Sequence, residues 1–354
     1  MRNHFIFLFL CFCFLVYGLA AHEKWIVVTT IQYPTKQLQA LSKIPGWRLV
    51  VVGDKKTPND WFLENCDYLS PKKQLELGYK LAKLLPWNHY SRKNIGYLYA
   101  IENGAKVIYE TDDDNEPSEG LLFSKPNSLL PEITGTHSCI NMYAYFGQPG
   151  VWPRGFPLSH ITASNQFSLT SPKPCQVGIE QGVVDECPDV DALFRLTQDK
   201  SIFFEKKPPC YLPKGVYCPF NSQNTFFHAS SFPALYLPST VSMRVSDIWR
   251  GYIAQRLIWE WGQNLVFSGP SAIQKRNEHN LFQDYLQEED LYKKSHLLVQ
   301  TLSDWKNPFL KEPNKAMADL FKILSKNNFI KSKESELLEV WLQDLEKASL
   351  AKSN

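Results

Sequence analysis

From Lys24 onward the chain alternates short apolar runs with segments whose apolar residues recur at helical spacing. Trp25 to Ile31 (WIVVTTI) predicts a buried strand, Thr35 to Ile44 an amphipathic helix, and Trp47 to Asp54 (WRLVVVGD) a second buried strand. Strand, helix, strand with unbroken apolar runs predicts an α/β fold with a mostly parallel sheet flanked by helices. After Pro71 one helix is predicted over Lys72 to Leu85. Another is predicted over Arg92 to Asn103, with Ile95, Leu98 and Tyr99 on one face and Asn103-Gly104 as its stop. Lys106 to Glu110 (KVIYE) predicts a further buried strand that runs directly into TDDDNEP. Between Pro117 and Pro238 turn signals such as Pro149-Gly150, Pro153-Arg154-Gly155 and Pro208-Pro209 predict short strands. Ser246 is expected to cap a helix over Asp247 to Trp261, stopped by Gly262, and LVFSGP to form a strand and loop. Past about Asn280, Leu, Lys and Glu at helical spacing, broken by Pro308 and Pro313, predict a C-terminal helical appendage.

Composition narrows the partners more than the fold. Lys and Arg number 38 and Asp and Glu 36, a net charge of +2 over 354 residues. That balance argues against a broad polyanion-binding surface, so no nucleic acid partner is expected. An apolar share of 44% excludes global disorder. Aromatic residues make up 14%; most are expected in the core, and the remainder suit clefts where rings stack on sugars.

The uncharged run from Phe5 to Ala21 follows Arg2 and precedes His22-Glu23-Lys24. It reads as a targeting segment over residues 1–21, a cleaved signal peptide in preference to a signal anchor, since Gly18-x-Ala20 offers small residues for cleavage. Either form places the folded part in the lumen of the secretory pathway (Golgi or ER) or outside the cell, as a type II membrane protein if the segment is retained; membrane contact is expected through that segment alone. Six cysteines lie beyond it: Cys66, Cys139, Cys175, Cys187, Cys210 and Cys218. An oxidising compartment predicts disulfides, above all within Cys175 to Cys218. No zinc-ligand spacing occurs, and no Asn-x-Ser/Thr acceptor is present.

Asp112, Asp113 and Asp114 follow an apolar strand at its carboxyl end, where open α/β sheets bind ligands. Adjacent carboxylates repel one another unless solvated or neutralised by a cation. Hard oxygen ligands in this arrangement suit Mn2+ or Mg2+, which also coordinate a diphosphate, with Asp112 and Asp114 as ligands. An EF-hand starting at Asp112 would place Gly and Glu where the chain has Pro117 and Phe123. A glycoside hydrolase needs two carboxylates about 5–9.5 Å apart, which a contiguous run does not naturally supply.

Arg92, Asn94, Gly96, Ala100 and Gly104 lead through the strand to Asp112 and Asp114, a spacing that resembles the GT-A glycosyltransferases, with their Rossmann-type sheet and Asp-x-Asp metal motif. At finer grain the segments KWIVVTTIQYP, GWRLVVVGDKKTPNDW, YSRKNIGYLYAIENGAKVIYETDDDNEP, VWPRGFPL, PDVDALFRLT and VSDIWRGYIAQRL resemble the STELLO family of Golgi glycosyltransferases. The resemblance implies a lumenal GT-A-like domain over residues 22–280, followed by the helical residues 281–354. It implies a nucleotide-sugar donor, a UDP-sugar first, and a glycan, lipid or protein acceptor. Arg92 or Lys93 would contact phosphate and Asp113 the donor's ribose or sugar. Thr29, Thr30 and Asp54 would hold the nucleoside. Asp247 is the candidate base for an inverting transfer, and His279 a candidate third metal ligand. The family also implies an alternative, a catalytically silent lumenal factor that assists other glycan-synthesising proteins.

Overall fold

Burial along the first strand shows how the sheet is lined. In β1 (Lys24–Thr29), Trp25 and Val27 enter one hydrophobic core while Ile26 and Val28 enter another on the opposite face, as expected of a strand covered on both sides. The structure, a computed structural model, describes residues 22–118, 121–135, 137–163, 167–198, 200–275 and 280–351. The targeting run and His279 lie outside these residues. Among the described residues no helix is long and apolar enough to cross a membrane.

α1 (Lys36–Leu41), capped by Thr35, covers one face with Leu38 and Leu41, and β2 (Arg48–Val52) and β3 (Cys66–Leu69) extend the sheet in parallel. The helix expected over 72–85 is two, α2 (Pro71–Glu76) and α3 (Lys80–Leu84). Gly78 between them adopts φ +79, a left-handed conformation that ends a helix. A 3-10 turn at Tyr90–Arg92 enters α4 (Lys93–Glu102), which packs on β1 and β2 and leads to β4 (Val107–Thr111), parallel to β1. The approach is closest at Gly96, where an added Cβ would stand 2.7 Å from Val27 Cγ1 and Val52 Cγ2. Gly96→Ala is therefore expected to destabilise the domain by about 1–3 kcal/mol through overpacking. Its denaturant midpoint should fall; an unchanged midpoint would show that α4 can slide off the sheet at no cost.

Beyond β5 (Asn115–Pro117) and β6 (Asn127–Leu130), the strands β7 (Ile133–Gly135) and β8 (Phe167–Leu169) form a small separate sheet around α5 (Met142–Tyr145). The strand that follows is not short. β9 (Lys173–Glu186) runs 14 residues, and both of its faces are covered over Val177 to Val184. α6 (Ala192–Thr197), β10 (Cys210–Tyr211), β11 (Asn224–His228), α7 (Met243–Glu260) and β12 (Asn264–Gln274) complete the sheet and its buried helix. Among the described residues the main sheet has 10 strands in the order β10-β12-β9-β11-β4-β1-β2-β3, with β5 and β6 off this path. β4, β1, β2 and β3 are all parallel, whereas β11 runs antiparallel to both β4 and β9.

The cap of α7 is Ser242, not Ser246. Ser242 Oγ accepts from Arg244 N, while Ser246 is buried and its Oγ donates to Pro238 O. Gly262 ends the helix at φ +72. α8 (Leu281–Gln287), α9 (Glu289–Asp304), α10 (Pro313–Lys326) and α11 (Lys333–Leu350) follow. Leu298, Leu320 and Trp341 from these helices belong to the same core as Val27 and Val50 of the sheet. Glu334 of α11 accepts from Tyr236 Oη and from the backbone N–H of Ser239 and Thr240, and Asp344 accepts from Leu81 N.

The expected bridges among Cys175, Cys187, Cys210 and Cys218 are not formed; all six cysteines are free. Cys175 packs with Leu130, Val177, Tyr211 and Val266, and Cys139, Cys210 and Cys218 lie in the main core. Packed as small apolar groups, they remain thiols. Burial pushes Cys139, Cys175 and Cys210 each up to about 12.

Candidate active site

β1 lies between β2 and β4, so the direction of strand addition reverses between β1 and β4. The carboxyl end of such a seam is where open α/β sheets hold their ligands. A cleft of about 500 Å³ opens there. It is lined by Thr29 and Thr30 at the end of β1, Gly53 and Asp54 after β2, and Asp112, Asp113 and Asp114 after β4. Arg154, Asp189, Arg244, Asp247 and Asp284 line it as well.

The three acids have different surroundings. Asp113 closes the seam: its carboxylate accepts from Thr30 Oγ1 at 2.6 Å and its backbone carbonyl from Thr35 Oγ1 at 2.5 Å. Asp112 Oδ1 accepts from Tyr90 Oη at 2.9 Å and pairs with Lys93 Nζ at 3.4 Å. Among the described residues the side-chain partners of Asp114 are neutral amides, Asn115 Nδ2 at 3.1 Å and Gln274 Nε2 at 3.0 Å. Burial, then the neighbouring Asp112 charge, raises the Asp114 carboxyl to about 7. Burial raises Asp113 as well.

Among the described residues no group of three or more His, Cys, Asp or Glu is arranged to hold a metal ion. The donor set nevertheless fits a hard cation completed by substrate, because Mg2+ and Mn2+ in phosphate sites take one or two carboxylates and fill the rest with phosphate oxygen and water. Beside the run, Asn115 Oδ1 is a further buried oxygen without a hydrogen-bond partner.

Neither basic residue predicted to reach phosphate is free to do so. Arg92 stacks on Trp87 with its guanidinium carbon 3.8 Å from the ring centroid, and it donates to Gln74 Oε1, Ala82 O and Leu85 O. Lys93 is fully buried, donating to Tyr90 Oη at 2.8 Å and Thr111 O at 2.7 Å. It fixes the end of β4 from beneath. Asp54 lines the cleft, but its carboxylate accepts from Lys55 N and His89 N and so ties β2 to the loop before α4.

Asp247 sits in the second turn of α7, not at its start. Arg154 holds both of its oxygens, Nη1 at 3.1 Å from Oδ1 and Nη2 at 3.0 Å from Oδ2, and Ser222 adds N–H and O–H donors. Burial alone would raise this carboxyl, yet the Arg154 guanidinium holds it below its ordinary value. A carboxylate so engaged is a poor proton acceptor, and its depressed pKa comes from an arginine instead of a helix dipole. The same guanidinium donates Nε to Asp189 Oδ1 at 2.7 Å, Nη2 to Asp189 Oδ2 at 2.9 Å, and Nη1 to Arg244 O. All five of its N–H groups are satisfied.

A continuous polar chain therefore crosses the cleft floor, from Asp112 through Tyr90, Ser222, Asp247 and Arg154 to Asp189. Tyr90, Arg154, Asp189 and Ser222 were not among the predicted site residues. For Arg154 and Asp189 the sequence signal was the family-like segments themselves, since VWPRGFPL, PDVDALFRLT and VSDIWRGYIAQRL converge on the Arg154 clamp from 35 and 93 residues apart, and Tyr90 opens another such segment, whereas Ser222 lies in none. In the second of these, Asp191 caps α6 and accepts from Trp152 Nε1 at 2.7 Å.

Fold and site together define an α/β protein with an acidic ligand cleft at its topological switch point. Residues 244–353 match the family model described as STELLO glycosyltransferases. The chain is 35% identical over 346 residues to "Probable glycosyltransferase STELLO1" of Arabidopsis thaliana, covering 91% of this chain and 44% of that protein. "Probable glycosyltransferase STELLO2" of the same plant is 35% identical over 347 residues with the same coverage. The chain thus carries a STELLO glycosyltransferase family domain and spans less than half the length of these relatives. Among solved structures, S. aureus TarS 1-349 in complex with UDP-GlcNAc matches with a TM-score of 0.34 and 13% identity, over 92% of this chain and 81% of that one.

Proposed function

We propose that the protein is a lumenal glycosyltransferase of the secretory pathway that binds a nucleotide-sugar donor, a UDP-sugar first, through Mn2+ or Mg2+. The observation that carries this reading is the convergence of Asp112, Asp113 and Asp114 with the ends of β1 and β2 in one cleft at the switch point. Asp112 and Asp114 would hold the cation, which neutralises charge on the leaving diphosphate. The chain's own residues supply the frame. Lys93 and Tyr90 fix Asp112, and Gln274 and Asn115 fix Asp114. Thr30 holds the seam shut against Asp113. The far wall, from Asp189 to Asp284, faces an acceptor of glycan, lipid or protein nature.

Titration of the purified domain with nucleoside diphosphates, with and without Mn2+, tests this reading. Metal-dependent binding is expected, and no binding across the panel would overturn it. One observation favours a second reading, a donor-binding but non-catalytic assembly factor: the candidate base Asp247 is already engaged by Arg154. Donor binding without turnover of any nucleotide sugar, toward water or acceptor, would select it.

A further inference from the structure

The cationic side chains around the cleft are not equally occupied. Arg154 is saturated by two carboxylates and a carbonyl, Arg244 pairs with Glu288 and Asp284, and Arg92 is spent on Gln74 and two carbonyls. Arg195 differs. It lines the cleft, is 8% exposed, and has no ion pair among the described residues. Its Nη2 donates to Pro188 O at 2.9 Å, while its buried Nε has no partner among the described residues. Of the buried unpartnered side-chain atoms among the described residues, this is the one that belongs to a cleft-lining residue. A buried guanidinium with unmatched donors is costly unless something supplies the missing acceptor.

The helix that carries Arg195 is held in place. Asp191 Oδ1 caps it at Phe194 N, and Glu288 Oε2 accepts from Ala192 N at 2.7 Å. Tyr292 Oη accepts from Leu193 N, and Trp152 packs edge-on against Phe194 at 5.1 Å. Arg195 is thus preorganised on a rigid element, as a binding residue must be.

We propose that Arg195 binds an oxyanion of the substrate, a phosphate or a carboxylate, on the wall of the cleft opposite the Asp run. Planar guanidinium donors match either group. Arg92, Arg154 and Arg244 also line the cleft but are already engaged, so Arg195 is the arginine there that selects a ligand presenting a second anionic group besides any held through a cation. The inference rests on the donor-binding reading of the cleft and names the residue that reads the donor's charge.

Arg195→Gln keeps a donor for Pro188 O and removes the charge. Calorimetry on the folded domain would compare it with the parent using Mn2+ alone, Mn2+ with inorganic pyrophosphate, UDP, UDP-glucose and UDP-glucuronate. Mn2+ binding should be unchanged and pyrophosphate and UDP about 10- to 100-fold weaker, which assigns the oxyanion to the diphosphate. Equal UDP affinity with a loss confined to UDP-glucuronate assigns it to an acidic sugar. Arg195→Lys, which keeps the charge but not the fork, should fall between. Unchanged affinity for every anion, or loss of Mn2+ binding along with them, overturns the proposal. Arg195-dependent binding of pyrophosphate in a parent that binds no nucleotide would sustain the oxyanion site and sink the donor reading; a parent that binds neither sinks both.

Discussion

Asp114→Asn is expected to abolish Mn2+-dependent binding of nucleoside diphosphates, by roughly a hundredfold or more, while leaving the domain folded. The change preserves volume and removes the charge that would hold a cation. Among the described residues Asp114 has no cationic partner; it meets Asn115 and Gln274 and repels Asp112. The amide loses one acceptor, worth about 1 kcal/mol, and relieves a crowded group of acids, so the melting temperature should scarcely move. Asp112→Asn should lose the same binding but melt lower, because the buried Lys93 loses its counter-charge. Thermal melts read beside calorimetry separate the two variants. Parental nucleotide affinity in both would remove the metal-site reading.

The largest stability effect is expected at Arg154, a residue without a predicted role. Arg154→Met leaves Asp189 and Asp247 facing one another in a site where their side chains are 14% and 7% exposed. Breaking such a buried network costs about 3–5 kcal/mol. The sign of its pH dependence follows from the carboxyl it releases. In the parent, Asp247 is held below its ordinary value, so its contribution is present at neutral pH and is lost only as pH falls through that depressed value. In the variant, burial and the facing Asp189 raise it, so the folded state gains by binding a proton. The deficit of Arg154→Met should therefore shrink as pH is lowered from 8 to 5. A deficit that is constant across that range would mean that the two carboxylates separate into solvent when the arginine is removed.

How much of this was legible differs between the halves of the chain. β1, β2 and β4 are local objects. Each is a short run of Val, Ile and aromatic residues bounded by turn signals, and its burial on both faces is written in its own composition. The acid run of Asp112, Asp113 and Asp114 at the carboxyl end of β4 followed from that. Local rules lost where long-range contacts decided. Ser246 gave up its capping role and donates to Pro238 O instead, whereas the break at Gly78 is a local signal that periodicity alone passed over. β9, with Pro174, Gly178 and Gly182 in it, carries weak strand signals and persists because β11, β12 and β6 pair with it.

Residues close together in the chain sufficed to specify β1, β2 and β4, the acid run at their carboxyl edge and the likeness to a glycosyltransferase family, while β3 was not foreseen. What the charged residues do depends on contacts that exist only once the chain has folded. Arg92 and Lys93 turned inward, the cysteines stayed apart as core thiols, Asp247 became half of an arginine clamp, and Arg195 was left on the cleft wall with a donor unpaired. A charge's role is set by which opposite charge or acceptor lies within about 4 Å and by how much water remains. In the Arg154 clamp those partners come from segments 35 and 93 residues away, a distance across which sequence periodicity carries no information.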